Sequence, residues 1–180
     1  KYPMPWSLPI GMCFTLSGLV LLAMAGSFEA VLIAAALGTT EKAEKLMEEY
    51  TTKAKSVGQK AGTEKTFSFL YASADRTRIF AKSSFVGSIC QDASLARPAA
   101  AQVEKTSIDL SSEQLDQADG DYLFYGVQGG DESKLTGEAL WSTLKAVTEK
   151  RAHSVDSDMF FLNAGPAAAL GVLETIEKAL

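Results

Sequence analysis

Residues 121–126 have the sequence DYLFYG, a short apolar run between turn-forming residues that predicts a buried, central β-strand. On either side of it, shorter apolar runs predict further strands: Lys65–Ala72, Arg78–Phe80, Thr106–Leu110 and Arg151–Val155. Helical patterns alternate with them: Phe85–Ala93, a short helix after Ser111 or Ser112, Leu140–Thr148 and Gly165–Leu180. This alternation predicts an α/β lobe of three αβα layers with a mostly parallel sheet. In such folds ligands bind at the carboxyl ends of the strands.

A long amphipathic helix is predicted before the lobe, over residues 41–60. Its apolar positions recur at helical spacing, and glutamates and lysines alternate on the other side. A shorter helical pattern, residues 27–38, precedes it and ends at Gly38. We therefore expect three segments: 1–26, then a short helix plus a long connecting helix over 27–62, and a carboxy-terminal ligand-binding lobe over 63–180.

Residues 1–26 form a hydrophobic, signal-like or anchor segment. Lys1 precedes an uncharged stretch from Leu8 to Ala25, which ends in the small residues Ala23-Met24-Ala25. A basic start, an apolar middle and an A-x-A end are typical of a secretory signal peptide, which predicts export. Two alternatives stay open: a membrane-spanning anchor and a folded segment of the core.

The composition excludes some functions. The net charge is −5, and no basic stripe interrupts it, so nucleic acid is not expected as a partner. Two cysteines, Cys13 and Cys90, and the single His153 lack the close spacing of a zinc site, and no metal site is expected.

The common catalytic motifs are incomplete in this chain. Neither the G-x-S-x-G nucleophile motif nor the G-x-x-x-x-G-K-[ST] phosphate loop is present. The glycine-rich run 126–130 has the wrong spacing for a dinucleotide site, and Asp131 after it would repel phosphate. Asp156 and Asp158 lie in a predicted loop, where acidic residues usually form turns. We expect no catalytic residue, no cofactor and no enzymatic activity.

Aromatic and cationic residues cluster instead at predicted strand ends. Arginines can hold an anionic ligand, while aromatic rings contact its apolar surface. The alternative is that the phenylalanines are core and the arginines are solvated. The candidate ligand-binding residues are Arg76, Arg78, Phe80, Ser84, Phe85, Met159, Phe160, Phe161 and Asn163.

The order of several short motifs resembles the carboxy-terminal half of the periplasmic binding proteins for iron-siderophores, haem and cobalamin that serve ABC importers. The resemblance covers about residues 27–180 and is most specific to the iron-siderophore branch. The motifs are Leu95-Ala-Arg-Pro98, Leu110-Ser-Ser-Glu-Gln-Leu115, Ala118-Asp-Gly-Asp-Tyr-Leu-Phe124, Leu140-Trp141 with Leu144-Lys-Ala-Val147, and Arg151-Ala-His-Ser-Val-Asp156.

This resemblance implies a solute-binding function. The expected ligand is a ferric siderophore or similar iron chelate, and the expected partner is an ABC permease at the outer face of the cytoplasmic membrane or in the periplasm. Glu113 matches an acidic residue that docks on the permease, although a helix-surface or capping-box role is an equal alternative. The family has two lobes and only the second is matched, so a fragment, a truncated product and a single-lobe protein all stay open. A single lobe is also expected to be able to form a homodimer through its exposed cleft face.

Two further hypotheses belong to other classes. One is a small α/β enzyme with a nucleotide-like site near residues 126–130. The other is an interaction protein that is anchored through residues 8–25 and only docks on a permease.

Overall fold

The computed structural model describes residues 40–162 and 164–180. The chain divides into two compact units, residues 1–48 and 49–180. In the first unit, the described residues 40–48 form the start of helix α1, Thr40–Ala61. The segment 1–26, the short helix expected at 27–38 and the candidate Asn163 lie outside the described residues. None of the described helices combines the length and the apolar character needed to cross a bilayer.

Helix α1 confirms the long helix predicted for residues 41–60. In its second half, Tyr50, Ala54 and Val57 are buried at helical spacing. The Tyr50 hydroxyl donates a hydrogen bond of 2.6 Å to the carboxylate of Asp92. These contacts show that the apolar side of residues 49–61 belongs to the core of the second unit.

Five strands form one sheet in the order β3-β2-β1-β4-β5. Strand β2 is antiparallel to both of its neighbours, and the other four strands run in one direction, which confirms a mostly parallel sheet. The reversal at β2 has a local cause, because only residues 73–76 connect it to β1 and a short turn requires antiparallel strands. The strands are β1 Phe67–Ala72, β2 Thr77–Phe80, β3 Ser107–Leu110, β4 Tyr122–Val127 and β5 Ala152–Ser154.

Helices cover both faces of this sheet, as expected of an αβα lobe. One face, here called the aromatic face, carries Phe67, Phe69, Tyr71, Phe80, Tyr122 and Phe124. The π-helical turn Asp158–Leu162 covers it, and this turn contacts α2 (Phe85–Asp92) and α5 (Pro166–Ala179). The opposite face, here called the aliphatic face, packs against a second group of short helices. These are the 3₁₀ helices Ala99–Ala101, Ser112–Ala118 and Trp141–Thr143, with α3 Ser133–Thr136 and α4 Lys145–Thr148.

The helix predicted for Leu140–Thr148 is wrong as a continuous element. It is broken at Leu144, which has extended backbone angles of φ −62° and ψ 136°. The carboxylate of Asp119 accepts hydrogen bonds from the backbone amides of Lys145 (2.6 Å) and Ala146 (3.2 Å). These amides are the first two of α4, so Asp119 caps the start of a separate helix. The loop predicted for residues 156–163 is likewise wrong in part, because it contains the π-helical turn.

Candidate ligand-binding site

One row of residues crosses four strands near the carboxyl-terminal edge of the sheet. Tyr71 of β1 opposes Arg78 of β2 and Gly126 of β4, and Arg78 in turn opposes Asp109 of β3. Directly opposed residues project from the same side of a pleated sheet. The row therefore places the Asp109 carboxylate, the Arg78 guanidinium and the Tyr71 ring side by side on the aromatic face.

Of the two candidate arginines, Arg78 belongs to this row and Arg76 lies two residues before it. Arg76 is in the turn before β2 with 53% of its side chain exposed, and Arg78 is more enclosed at 24%. The Arg78 guanidinium carbon lies 6.0 Å from the centre of the Tyr71 ring, within cation–π range. Its Nε is buried and has no hydrogen-bond partner in the part of the chain that the structure describes. Arg78 thus carries a donor that the lobe itself leaves unused.

Carboxylates surround Arg76. Its Nε lies 3.9 Å from Asp75 Oδ2, and its Nη1 lies 4.0 Å from Asp109 Oδ2. The Ser73 hydroxyl donates a 2.9 Å hydrogen bond to Asp75 and holds the pKa of that carboxyl below its usual value. Asp75 therefore remains charged near neutral pH beside Arg76.

Three rings form an apolar layer next to the arginines. Phe161 packs against Phe80 with ring centres 4.9 Å apart and against Tyr71 at 5.5 Å. Each of the three rings is less than 10% exposed, so only their edges are accessible to solvent. Phe160, at 1% exposure, lies deeper between Phe69 and Phe124. Phe160 is therefore a core side chain. Phe80 and Phe161, at 9% exposure each, remain candidate contacts for the apolar part of a ligand.

The remaining candidates have structural surroundings. The buried Ser84 hydroxyl caps α2 by accepting a 2.9 Å hydrogen bond from the Gly87 amide, and it donates to the Ala81 carbonyl. Phe85 is partly buried in the first turn of α2. The Met159 thioether packs closely over Gly171 of α5. These three side chains lie around the aromatic layer, and none of them joins the row with the arginines.

Gly126, at the end of the strand predicted over residues 121–126, has a specific packing role. A β-carbon at this position would lie 2.5 Å from Ser157 Oγ and 2.8 Å from Phe161 Cε2. The absence of a side chain is what lets Phe161 lie against the sheet beside Tyr71. An isolated glycine at the end of a strand pattern was the available signal for this close approach.

A cavity of about 530 Å³ opens at the same edge of the sheet. This volume lies in the range of small-molecule sites. Its apolar lining comes from Ala72, Leu110, Leu115 and Leu135, which belong to the aliphatic-face core. Among its polar lining, only Arg76 was a predicted site residue. The polar lining that was not predicted comprises residues around the β1–β2 turn, the end of β3 and the region of α3: Ser73, Asp75, Thr77, Asp109, Ser111, Ser112, Lys134 and Glu138.

Glu113 is exposed in the first turn of the 3₁₀ helix Ser112–Ala118. The capping-box role belongs to Gln114, whose side-chain oxygen accepts a 3.3 Å hydrogen bond from the Ser111 amide. Glu113 is therefore free to meet an external partner.

The glycine-rich turn offers no phosphate cradle. The Asp131 carboxylate accepts hydrogen bonds from the Ser133 amide (3.0 Å) and hydroxyl (2.6 Å), and its pKa is lowered by them. Asp156 is used in a similar way, because its Oδ1 accepts the Met159 amide at 2.7 Å. Within residues 40–162 and 164–180, no three His, Cys, Asp or Glu side chains are grouped as metal ligands.

Comparison with known proteins identifies similar chains. The chain is 30% identical over 164 residues to the probable siderophore-binding lipoprotein YfiY of Bacillus subtilis, covering 81% of this chain and 50% of that protein. It superposes with a TM-score of 0.73 and 27% identity on a FhuD fold-family periplasmic binding protein component of a Fep/Fec-like ferrichrome ABC transporter from Bacillus subtilis. That match covers 83% of this chain and 59% of the other. The chain thus spans about half the length of these relatives.

A different, local match is to the fosmidomycin resistance protein of Escherichia coli. It is 92% identical but extends over 37 residues, which is 21% of this chain and 9% of that protein. It therefore says nothing about the fold of the lobe as a whole.

The family assignment rests on the longer match. The profile described as "Periplasmic binding protein" matches residues 28–159, well over half of the chain. The similar proteins are binding proteins and not enzymes. This chain belongs to the periplasmic binding protein family.

Proposed function

We propose that this chain is the carboxy-terminal lobe of the solute-binding component of an ABC importer and that it captures a ferric siderophore or a similar iron chelate. The name of the relative YfiY and the ferrichrome transporter named for the structural relative support this ligand class. Such a component works outside the cytoplasmic membrane, so we also propose that the protein is exported, as the lipoprotein relative suggests.

The observation that carries this proposal is the pair of arginines at the carboxyl-terminal edge of the sheet: Arg76, which lines the cavity, and Arg78, which contacts the Tyr71 ring. Ferric chelates present oxygen atoms that are often anionic, and a guanidinium binds such oxygens in a planar, bidentate geometry. The edges of Tyr71 and Phe161 lie against the same surface and can contact the apolar parts of a chelator. Leu162, at the end of the π-helical turn that contains Phe161, is 63% exposed.

The decisive experiment compares two matched arginines. Arg78 lies 6.0 Å over Tyr71 at the carboxyl-terminal edge, and Arg151 lies 5.3 Å over Tyr122 at the opposite edge. Their side chains are similarly enclosed, at 24% and 30% exposure. Substitution of either by glutamine removes one charge beside a tyrosine ring. The two sites differ in position and in pairing, because Arg151 also forms an ion pair with Glu149 whereas Arg78 Nε has no hydrogen-bond partner among the described residues.

Binding would be followed by tryptophan fluorescence during titration with ferric hydroxamates, catecholates and citrate. Trp141 is a suitable reporter, because its amide donates a 3.0 Å hydrogen bond to the carbonyl of Glu138, a residue of the cavity wall. We expect saturable quenching in the native chain and a loss of about 10-fold or more in affinity for Arg78→Gln, the effect of one charged hydrogen bond. Arg151→Gln is expected to bind as the native chain does. Equal binding by both variants, or no quenching by any chelate, would contradict the proposal.

We also propose that Glu113 contacts the permease. An exposed carboxylate without an internal partner can pair with a cation of another protein at little cost. Glu113→Gln should weaken co-sedimentation with proteoliposomes that contain a siderophore ABC permease. Glu104→Gln, which removes an exposed carboxylate paired to Lys82, should not. The same result for both variants would remove Glu113 from the interface.

Self-association through the ligand surface is the last part of the proposal. A lobe that exposes Leu162 can bury this apolar side chain against a second copy. Sedimentation velocity should then show a dimer that dissociates on addition of the ferric chelate. A monomer at all concentrations would exclude it.

A further inference from the structure

Asp109 has an unusual position relative to the two arginines. Its Oδ1 lies 4.0 Å from Arg78 Nε, and its Oδ2 lies 4.0 Å from Arg76 Nη1. It is the one carboxylate in the described part of the chain that reaches both guanidinium groups, since Asp75 contacts Arg76 alone. Asp109 also directly opposes Arg78 across the β2–β3 pair, so the backbone fixes this arrangement.

The contacts are too long for hydrogen bonds. An N–H···O bond in proteins has a donor–acceptor distance of about 2.7–3.2 Å. At 4.0 Å the carboxylate attracts both guanidinium groups but satisfies neither, and the buried Nε of Arg78 keeps no partner in the described residues. The donors of both arginines are therefore oriented by a charge and remain available for another oxygen.

We propose that Asp109 is an internal competitor of the ligand that sets the selectivity of this lobe between anionic and neutral chelates. An anionic oxygen that binds Arg76 and Arg78 enters the field of the Asp109 carboxylate, and the repulsion between like charges weakens its binding. A neutral chelate does not meet this repulsion. The inference rests on the proposed function of this surface, and it adds the residue that limits affinity for anions.

The test separates the effect of Asp109 from that of net charge. Asp109→Asn removes the carboxylate and keeps the shape of the side chain. Glu104→Gln makes the same charge change before the start of β3, where Glu104 pairs with Lys82 at 3.1 Å. The full chain and both variants would be titrated with iron-free citrate while NMR follows the Nε–Hε signals of the arginines. They would then be titrated with ferric citrate and with a neutral ferric trihydroxamate, followed by tryptophan fluorescence.

We expect Asp109→Asn to bind citrate and ferric citrate about 5- to 10-fold more tightly, with no change for the neutral chelate, the scale of one nearby like charge in a partly solvated site. Glu104→Gln should match the native chain. An equal gain in both variants, or no gain in Asp109→Asn, would overturn the inference. Asp109→Ser, on the exposed edge strand β3, serves as a second variant if the asparagine form does not fold.

Failure of the proposed function gives a different pattern. In one outcome the native chain binds no ferric chelate, while Asp109→Asn binds iron-free citrate more tightly than the native chain does. This outcome would support the competitor role of Asp109 and contradict the siderophore function. In the other outcome ferric chelates bind and the asparagine variant behaves as the native chain, which would support the siderophore function and contradict the competitor role.

Discussion

The Phe161 ring lies directly against the backbone of Gly126, so that a β-carbon there would be 2.8 Å from Phe161 Cε2. This contact joins the π-helical turn to the end of β4 and fixes the aromatic layer beside Tyr71.

Gly126→Ala is expected to destabilise the lobe by about 1–3 kcal/mol, the usual cost of overpacking, because both Ser157 and Phe161 must move. Urea unfolding measures the change. The double variant Gly126→Ala/Phe161→Ala should lose less than the sum of the single variants, since the second substitution frees the space. Additive losses would show that the two residues do not act through this contact.

The Asp119 cap gives a second prediction. Asp119→Ala should cost about 0.5–2 kcal/mol, because the amides of Lys145 and Ala146 lose their acceptor. Asp119→Asn keeps a capping oxygen and should recover most of the loss in urea unfolding. Asp116→Ala, an exposed position in the preceding 3₁₀ helix, is the control. If Asp116→Ala costs as much as Asp119→Ala, the break at Leu144 does not depend on the cap.

The surroundings of His153 predict that the stability of the lobe depends on pH. Its ring stacks on Phe124 at 5.5 Å, its buried Nε2 has no hydrogen-bond partner among the described residues, and burial lowers its pKa. A histidine in the unfolded chain has a pKa of about 6.5, so below that pH the unfolded state takes up the proton first. Its contribution to stability is therefore complete above about pH 6.5 and is lost as the pH falls through the lower pKa of the folded state.

The measurement compares urea unfolding of the native chain and His153→Phe between pH 7.5 and 5. The phenylalanine keeps the stacking and removes the titration, so its stability should fall less over this range. The NMR titration of the imidazole Cε1–H reports the folded-state pKa itself. Parallel stability curves would rule out a role for His153.

The contacts of Glu177 predict a second pH dependence of stability, at acidic pH. Hydrogen bonds from Lys53 and then Lys60 lower its pKa from 4.5 to about 2, and they tie α1 to α5. This contribution is present above the unfolded pKa near 4.5 and is lost as the pH falls through about 2. Glu177→Gln should lower stability at pH 7 and make little difference at pH 2. Glu174→Gln, exposed on the same helix, should have little effect at either pH, and salt should reduce the Glu177 effect. The same loss in both variants would indicate general charge on α5 and not this contact.

Local patterns predicted most of the elements. The alternation of apolar residues located β1 and β4, and the 3.6-residue spacing located α1 and α5, because burial of one side of an element leaves a period in the sequence. The break at Leu144 was not predictable in this way, since its cause is Asp119, which lies 26 residues from Lys145 along the chain. The different surroundings of Phe160 and Phe161, which were predicted to share one role, were equally hidden. Two adjacent phenylalanines are chemically identical, and only the direction that the π-helical turn gives each ring separates them.

The sequence by itself determined the α/β class and the order of the elements, because these depend on hydrophobic period and on the chain order of strands and helices. It also predicted Arg76 and Arg78 at the ends of strands, where ligands bind in folds of this class. Only the tertiary structure decided what those arginines meet. Strand pairing brings Asp109 and Tyr71 to either side of Arg78, and the packing of residues 158–162 lays Phe161 on Gly126. Contacts between distant segments depend on register and packing, which no local pattern encodes.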